Sequence, residues 1–280
     1  MRCEKRRAKM SDKLFSDSSF EKETKSLLKM RGEDNVDVFF YEITDSTNTR
    51  AKLYAENRDC GDCRPAIFFS HAQHAGRGTR GRSFESPSGG GVYISYLLYP
   101  KSGIADSLAL TTYAAVSVCR AIKRITDKID PKIKWVNDIT VDGKKLSGIL
   151  TEGRIEDGRM KYAIVGIGVN VAPAEHSPEV KSIMTSLSGC GVSVSPDEFA
   201  ITLTDEFFLG LSDIGSENIL NEYRSLCAIL GKDVNITDRS GTRVERAVDI
   251  APDFSLVTID ENGNEKSYIS ADVTVRQRTN

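Results

Sequence analysis

Residues Lys132 to Val171 read KIKWVNDITVDGKKLSGILTEGRIEDGRMKYAIVGIGVNV. Lys132 to Val136 reads as a strand, Ile139 to Glu152 as a hairpin turning at Asp142-Gly143, and Met160 to Val171 as the partner strand. Asp-Gly between apolar runs is a strong two-residue hairpin signal. Working outward, Asp106 to Ile125 carries Leu108, Ala115, Val118, Cys119, Ile122 and Ile125 at helical spacing, which predicts a long helix. Strands are expected at Val36 to Ile43, Ala66 to Ser70 and Val92 to Tyr99, the last ended by Pro100. Shorter helices are expected over Phe20 to Met30, from the caps at Asp45 to Asn48 through Glu56, and over Glu217 to Ile229. Ser195-Pro196-Asp197-Glu198 opens another, with Ser as N-cap and Pro at the first position.

Helical periodicity ends at Gly231, and Val234 to Arg276 reads as short strands joined by tight turns. The expected class is α+β: a mixed β-sheet with flanking helices, then a small C-terminal β unit. The divisions are an N-terminal tail and short helix over 1–35, a main domain over 36–229 and the β unit over 230–280.

The 280 residues are 39% hydrophobic and 28% charged with net charge −2, a composition of folded chains rather than disordered ones. That charge argues against a generic nucleic-acid coat. There is no apolar run of membrane-spanning length, and the basic start, Met1 to Arg7, lacks the apolar stretch of a secretory signal. Six scattered cysteines fit a reducing cytoplasm. Cys60-Gly-Asp-Cys63 lacks the second pair of a zinc site and is followed by Arg64-Pro65 and a strand, so it reads as a loop with two thiols. His71 and His74 stand three apart with no third metal ligand evident, and metal ligands stay unassigned.

Four polar clusters fall at strand ends or in loops, where functional groups concentrate. The most distinctive is Gly76-Arg-Gly-Thr-Arg-Gly-Arg82. Glycine permits φ > 0 and exposes N–H groups, and arginine brings a permanent planar charge, so the loop reads as a clamp over an anion. The others are Ser46-Thr47-Asn48, Lys134 to Asp138 with Lys144 to Gly148, and Gly166-Ile-Gly-Val-Asn170. Each has a plainer reading: helix cap, turn, exposed hairpin lysines, and glycines admitting a close neighbouring backbone.

Together the clusters resemble the biotin protein ligase family. That family carries STN, then Q-x-A-G-R-G-x-x-G-R, K-W-P-N-D, K-L-x-G-I-L and G-x-G-x-N. The matching residues are Ser46 to Asn48, Gln73 to Arg82, Lys134 to Asp138, Lys145 to Leu150 and Gly166 to Asn170. The resemblance implies a class II synthetase-like catalytic domain with an SH3-like C-terminal β-barrel. It implies an ATP-dependent ligase that forms biotinyl-5′-AMP with Mg²⁺-ATP and passes biotin to a lysine of a biotin carboxyl carrier domain. The implied catalytic residues are Lys145, Arg77 and Arg80. Those for biotin are Ser46, Thr47, Asn48, Gln73, Arg77, Gly78, Thr79, Lys145 and Gly148. Those for the nucleotide are Arg80, Arg82, Phe84, Asn137, Asp138, Asn170 and Arg276.

Thr79 stands where an arginine is common in the family, Val136 where proline is usual and Phe84 where tryptophan is frequent. Some 35 residues precede the first matching strand, which sets the expectation of a monofunctional ligase without a helix-turn-helix and without operator DNA. Family members pair through the edge of the central sheet, so a homodimer stays open. A lipoate ligase shares the fold and chemistry; Ser88-Gly-Gly-Gly-Val-Tyr93 matches part of its signature, but Ile94-Ser95 replaces His-Asp and the preceding arginine pair is missing. A nucleic-acid-binding protein built on an Arg/Gly loop would be more basic. An inactive biotin sensor is disfavoured by the intact Lys145.

Overall fold

A computed structural model describes residues 18–58, 63–100, 107–238, 240–269 and 274–277. Cys60 and the first 17 residues lie outside that set. The strands are β1 (Asp37–Tyr41), β2 (Ala66–Ser70), β3 (Gly91–Leu98), β4 (Lys132–Lys134), β5 (Asp138–Val141), β6 (Lys144–Glu156) and β7 (Arg159–Asn170). They form one sheet in the order β1-β2-β3-β7-β6-β5-β4, with only the β1–β2 pair parallel. The hairpin turn falls at Asp142 (φ 49°) and Gly143 (φ 76°), as Asp-Gly dictates.

The sheet is covered unequally on its two faces. On one lie α1 (Ser19–Met30), α3 (Ser107–Ile125), α5 (Pro196–Leu209) and α6 (Glu217–Leu226). Helix α3 lies deepest, with Leu110, Ala114, Ala115, Val116, Val118 and Ala121 fully buried. On the other face α2 (Thr47–Glu56) packs on β2, β3 and β7 through Ala51, Phe68, Leu97 and Ile164. Alternation along each strand sorts side chains between the faces. Ile94 and Tyr96 go to the large core, while Ser95 and Leu97 go to the α2 side.

Ser195 caps α5 as expected, accepting from Glu198 N at 3.2 Å. Helix α6 stops at Leu226, three residues short of the expected end, because Cys227 turns extended and Ala228 N donates to Ile133 O beside β4. A short helix, α4 (Pro178–Ile183), was not foreseen. Beyond Gly231 lie β8 (Asp233–Asp238), β9 (Gly241–Ile250), β10 (Leu256–Ile259), β11 (Glu265–Tyr268) and β12 (Thr274–Gln277). They make an antiparallel sheet in the order β11-β10-β9-β8-β12. Its Glu245, 2% exposed, is satisfied by Arg243, Thr258, Lys266 and Tyr268.

One ion-pair network ties three helices of the large core. Asp205, 2% exposed, accepts from Arg31 Nε (2.8 Å) and Nη2 (3.0 Å) and from Arg124 Nη1 (2.6 Å). The Arg31 hydrogen bond, more than burial opposes it, holds the Asp205 carboxyl below the usual range. A depressed folded-state pKa contributes stability that is present above the unfolded value and lost as pH falls through the folded one. Asp205→Asn should therefore cost about 2 kcal/mol at neutral pH. In urea titrations the gap from wild type should close as pH falls below about 4, and a pH-independent gap would show the ion pairs are not its source.

Candidate active site

Strands β6 and β7 carry a bare patch on the α2 face. Their register sets Gly148 opposite Gly168 and Leu150 opposite Gly166. The two glycine-bearing motifs, about twenty positions apart, thus become one floor, and each missing side chain makes room for another residue. A Cβ on Gly166 would overlap the Asn48 carboxamide, and one on Gly168 would lie 2.5 Å from the Phe84 ring. The neighbours these glycines admit are side chains, not the backbone the plainer reading supposed.

At one end of the floor lies the first turn of α2. Ser46 occupies the N-cap position but makes no side-chain cap bond, which departs from the plain capping role. It is 2% exposed and lines the cavity. Thr47 N and Oγ1 both donate to Gln73 Oε1, at 2.8 and 3.2 Å, and Gln73 Nε2 donates to Ser86 Oγ at 2.9 Å. Asn48 Nδ2 donates to Glu152 Oε2 (2.9 Å) and Leu150 O (3.3 Å), and its Oδ1 accepts from Ser95 Oγ (2.6 Å). Apart from the paired Glu152 and Arg77, this end is uncharged, largely buried and rich in oriented dipoles, a set suited to a polar uncharged group.

The other end is cationic. Lys145 Nζ donates to Asp138 Oδ1 at 2.5 Å and stands 5.8 Å from the Phe84 ring centre. Asn137 is tied to β6 both ways: its Nδ2 donates to Ile149 O (2.8 Å), and Ile149 N donates to its backbone oxygen (2.9 Å). The arginine loop closes over the floor as a small hydrogen-bonded hairpin, with Phe84 N on Gly76 O at 2.9 Å and Gly78 N on Arg82 O at 2.7 Å. It thus folds as a hydrogen-bonded turn and not as an irregular loop. Positive φ falls on Arg80 (59°) and Gly81 (73°), so an arginine takes one of the turn positions expected of glycine. Arg77 pairs with Glu152, and Arg82 folds back onto Thr79 O and Oγ1 at 3.3 and 3.2 Å.

Between these ends is a cavity of about 130 Å³. It is lined by Ser46, Thr47, Asn48, Gln73, Arg77, Gly78, Thr79, Arg82, Phe84, Asn137, Lys145 and Gly148 among the residues anticipated from sequence, and also by Ile149, Leu150 and Ile167. Arg80 is exposed on the loop, Asp138 acts behind Lys145, and Asn170 is buried in β7 opposite Gly91; none of the three lines the cavity. Arg276 sits in β12 opposite Asn235, and its side chain lies outside the described residues. Sequence reasoning missed Ser95 and Glu152. The signal for Ser95 was a single small polar residue in the run of large side chains Val92 to Leu98; for Glu152 it was the same strand phase as Gly148.

Among the described residues no group of three or more His, Cys, Asp or Glu side chains is placed to hold a metal ion. His71 instead spans Glu42 (3.1 Å) and Asp197 (2.7 Å), and the Asp197 bond raises its pKa. Among those residues, too, no helix is long and apolar enough to cross a membrane.

Comparison with known proteins places this geometry. Residues 40–170 match the Biotin/lipoate A/B protein ligase family. The bifunctional ligase/repressor BirA of Bacillus subtilis is 37% identical over 153 residues, 54% of this chain but only 46% of that protein's length. The biotin–[acetyl-CoA-carboxylase] ligase of Paracoccus denitrificans is 32% identical over 213 residues, covering 71% of this chain and 83% of that one. Among solved structures, the Aquifex aeolicus biotin protein ligase in complex with biotin and ATP superposes with TM-score 0.73 at 27% identity, covering 86% of this chain and 99% of that one. Motif order, sheet topology and sustained identity to a relative matched over most of its length agree, and the chain belongs to the biotin protein ligase family.

Proposed function

We propose that the protein activates biotin as biotinyl-5′-AMP at the expense of ATP and transfers the biotinyl group to a lysine of a biotin carboxyl carrier domain. The observation that carries this reading is the division of the cavity. A neutral hydrogen-bonding end, built from Ser46, Thr47, Asn48 and Gln73, meets a cationic end built from Lys145 and the arginine loop on a floor of glycines. Biotin has that polarity: a polar uncharged ureido ring, an apolar chain and a carboxylate.

In the first step the biotin carboxylate oxygen attacks the α-phosphorus of ATP, the P–O bond to the β-phosphate breaks, and pyrophosphate leaves. Two anions must meet, so fixed cations both reduce repulsion and stabilise the charge that develops. Lys145 is assigned to the carboxylate and α-phosphate, with Asp138 orienting its ammonium. Arg77 and Arg82 border the same space. Arg80 and Arg276 are assigned to the nucleotide by motif position, and Mg²⁺ enters on the phosphates as part of that substrate. In the second step the carrier's lysine amine attacks the mixed anhydride's carbonyl carbon, the amide forms and AMP leaves. Phe84 and the loop backbone over the cavity exclude the water that would otherwise hydrolyse the anhydride. The scattered cysteines favour a cytoplasmic setting for this chemistry.

The direct test is incubation with biotin, Mg²⁺-ATP and a carrier domain, with lipoate in parallel. Mass spectrometry should show the carrier heavier by one biotinyl group and no lipoyl adduct; lipoylation alone would transfer the reading to the lipoate branch. Lys145→Ala should lower biotin-dependent pyrophosphate exchange by at least about a hundredfold, the scale of a lost electrostatic contact to a transition state. Near-normal exchange would remove Lys145 from its assigned place. Gly166→Ala should push Asn48 off Ser95 and weaken biotin affinity about tenfold or more in calorimetry, with a stability cost of about 1–3 kcal/mol from overpacking. Unchanged affinity would show that the Asn48 network is irrelevant to the ligand.

A further inference from the structure

Glu152 ends the site-facing row of β6, in phase with Gly148 and Leu150. Its carboxylate is shared between two parts of the site. Oε1 accepts from Arg77 Nη2 of the arginine loop, and Oε2 accepts from Asn48 Nδ2 at 2.9 Å. Asn48 is fixed from behind by Ser95 Oγ at 2.6 Å, and Ser95 is fully buried in β3. A chain of hydrogen bonds therefore runs Ser95–Asn48–Glu152–Arg77, from the interior of the sheet to a loop side chain that is 42% exposed. Every link but the last is anchored on a strand or a helix.

An arginine on a loop has large rotamer freedom, which must be lost before it can hold an anion in one geometry. A carboxylate anchored at the far end of such a chain removes that freedom beforehand. Pairing with Glu152 does not exhaust the guanidinium, which has five N–H donors in a planar fork. Among the described residues Glu152 is the side chain it bonds, and Arg77 itself lines the cavity.

We propose that Glu152 is a positioning residue for Arg77: it holds the guanidinium at the cavity rim and couples its placement to the Asn48 network, which the same carboxylate bonds. The proposal deepens the biotin-adenylation reading and rests on it for its kinetic arm only.

The test compares wild type, Glu152→Gln, Arg77→Gln and the double variant, with Glu152→Asp as the conservative control. The glutamine can still accept from Asn48 while losing the charge that holds Arg77. Biotin-dependent pyrophosphate exchange should fall about tenfold in kcat/KM for Glu152→Gln and further for Arg77→Gln. The double variant should match Arg77→Gln alone, because Glu152 acts through Arg77. Glu152→Asp should recover part of the loss. Losses that multiply in the double variant, or exchange in Glu152→Gln equal to or faster than wild type, would overturn the proposal. A second arm needs no activity. With no ligand added, trypsin should cleave Glu152→Gln after Arg80 and Arg82 several-fold faster than wild type, with the thermal midpoint unchanged; equal cleavage rates would overturn it as well. If wild type shows no biotin-dependent exchange, the adenylation reading fails and the cleavage arm alone decides whether Glu152 holds the loop.

Discussion

The pairing register of β6 and β7 is the constraint on which the rest of the site depends. With Gly148 opposite Gly168 and Gly166 opposite Leu150, three residues without side chains share one face of the sheet. A slip of one residue would turn that row into the α3 side and present Ile149, Ile167 and Val165 where the cavity now lies. The register is held against that slip by the large core, which buries those same three side chains to within 2% of full burial. The hydrophobic burial that stabilises one face therefore keeps the opposite face bare. Folding energy and site construction use the same alternation.

The cationic end is braced from the second sheet. Trp135 Nε1 donates to Phe254 O at 3.2 Å across the junction, and Tyr223 OH of α6 donates to Val136 O at 3.1 Å. Arg224, next along α6, bonds Ile250 O at 2.6 Å and Asp249 at 2.9 Å. The segment Trp135 to Val136 is thus gripped on both sides just before Asn137 and Asp138, which hold β6 and Lys145. A lysine ammonium is a flexible point charge, so its usefulness depends on what fixes it. Here Asp138 does so, and the grip on Trp135 and Val136 fixes the backbone that carries Asp138.

Much of this was legible in the sequence because the signals were local. Asp142-Gly143 named its turn, the α3 periodicity named a buried helix, and Ser195 capped α5 as its spacing required. Many of the polar residues that line the cavity were also named, since each stands in a short motif. What could not be read was their mutual placement. That Gly148 faces Gly168 is a property of register, not of either segment. Glu152 carries no local mark, and it joins the site only because β6 continues in phase past Leu150 and α2 brings Asn48 over it. Asn170 illustrates the converse: its motif neighbours Gly166 and Gly168 reach the cavity, whereas Asn170 is 6% exposed at the strand end and does not line it.

The arginine loop shows how a composition-level reading is narrowed by geometry. The composition of the loop suggested a clamp of three arginines over an anion, and the surroundings of the three differ. Arg77 is tied to a strand carboxylate, Arg80 sits at the exposed turn with φ of 59°, and Arg82 folds back on Thr79. Thr79 then has a local function of its own. Where many relatives place another cation, this chain places a hydroxyl that accepts from Arg82, so the substitution removes one charge and restrains another. The restrained charge is on the loop itself, whereas Glu152 ties Arg77 to the sheet. Placement of Arg82 relative to the cavity therefore depends on how the hairpin sits, and placement of Arg77 depends on β6. Arg82 and Thr79 are thus bound to each other within the hairpin, whereas the Arg77 guanidinium is bound to the strand that carries Gly148.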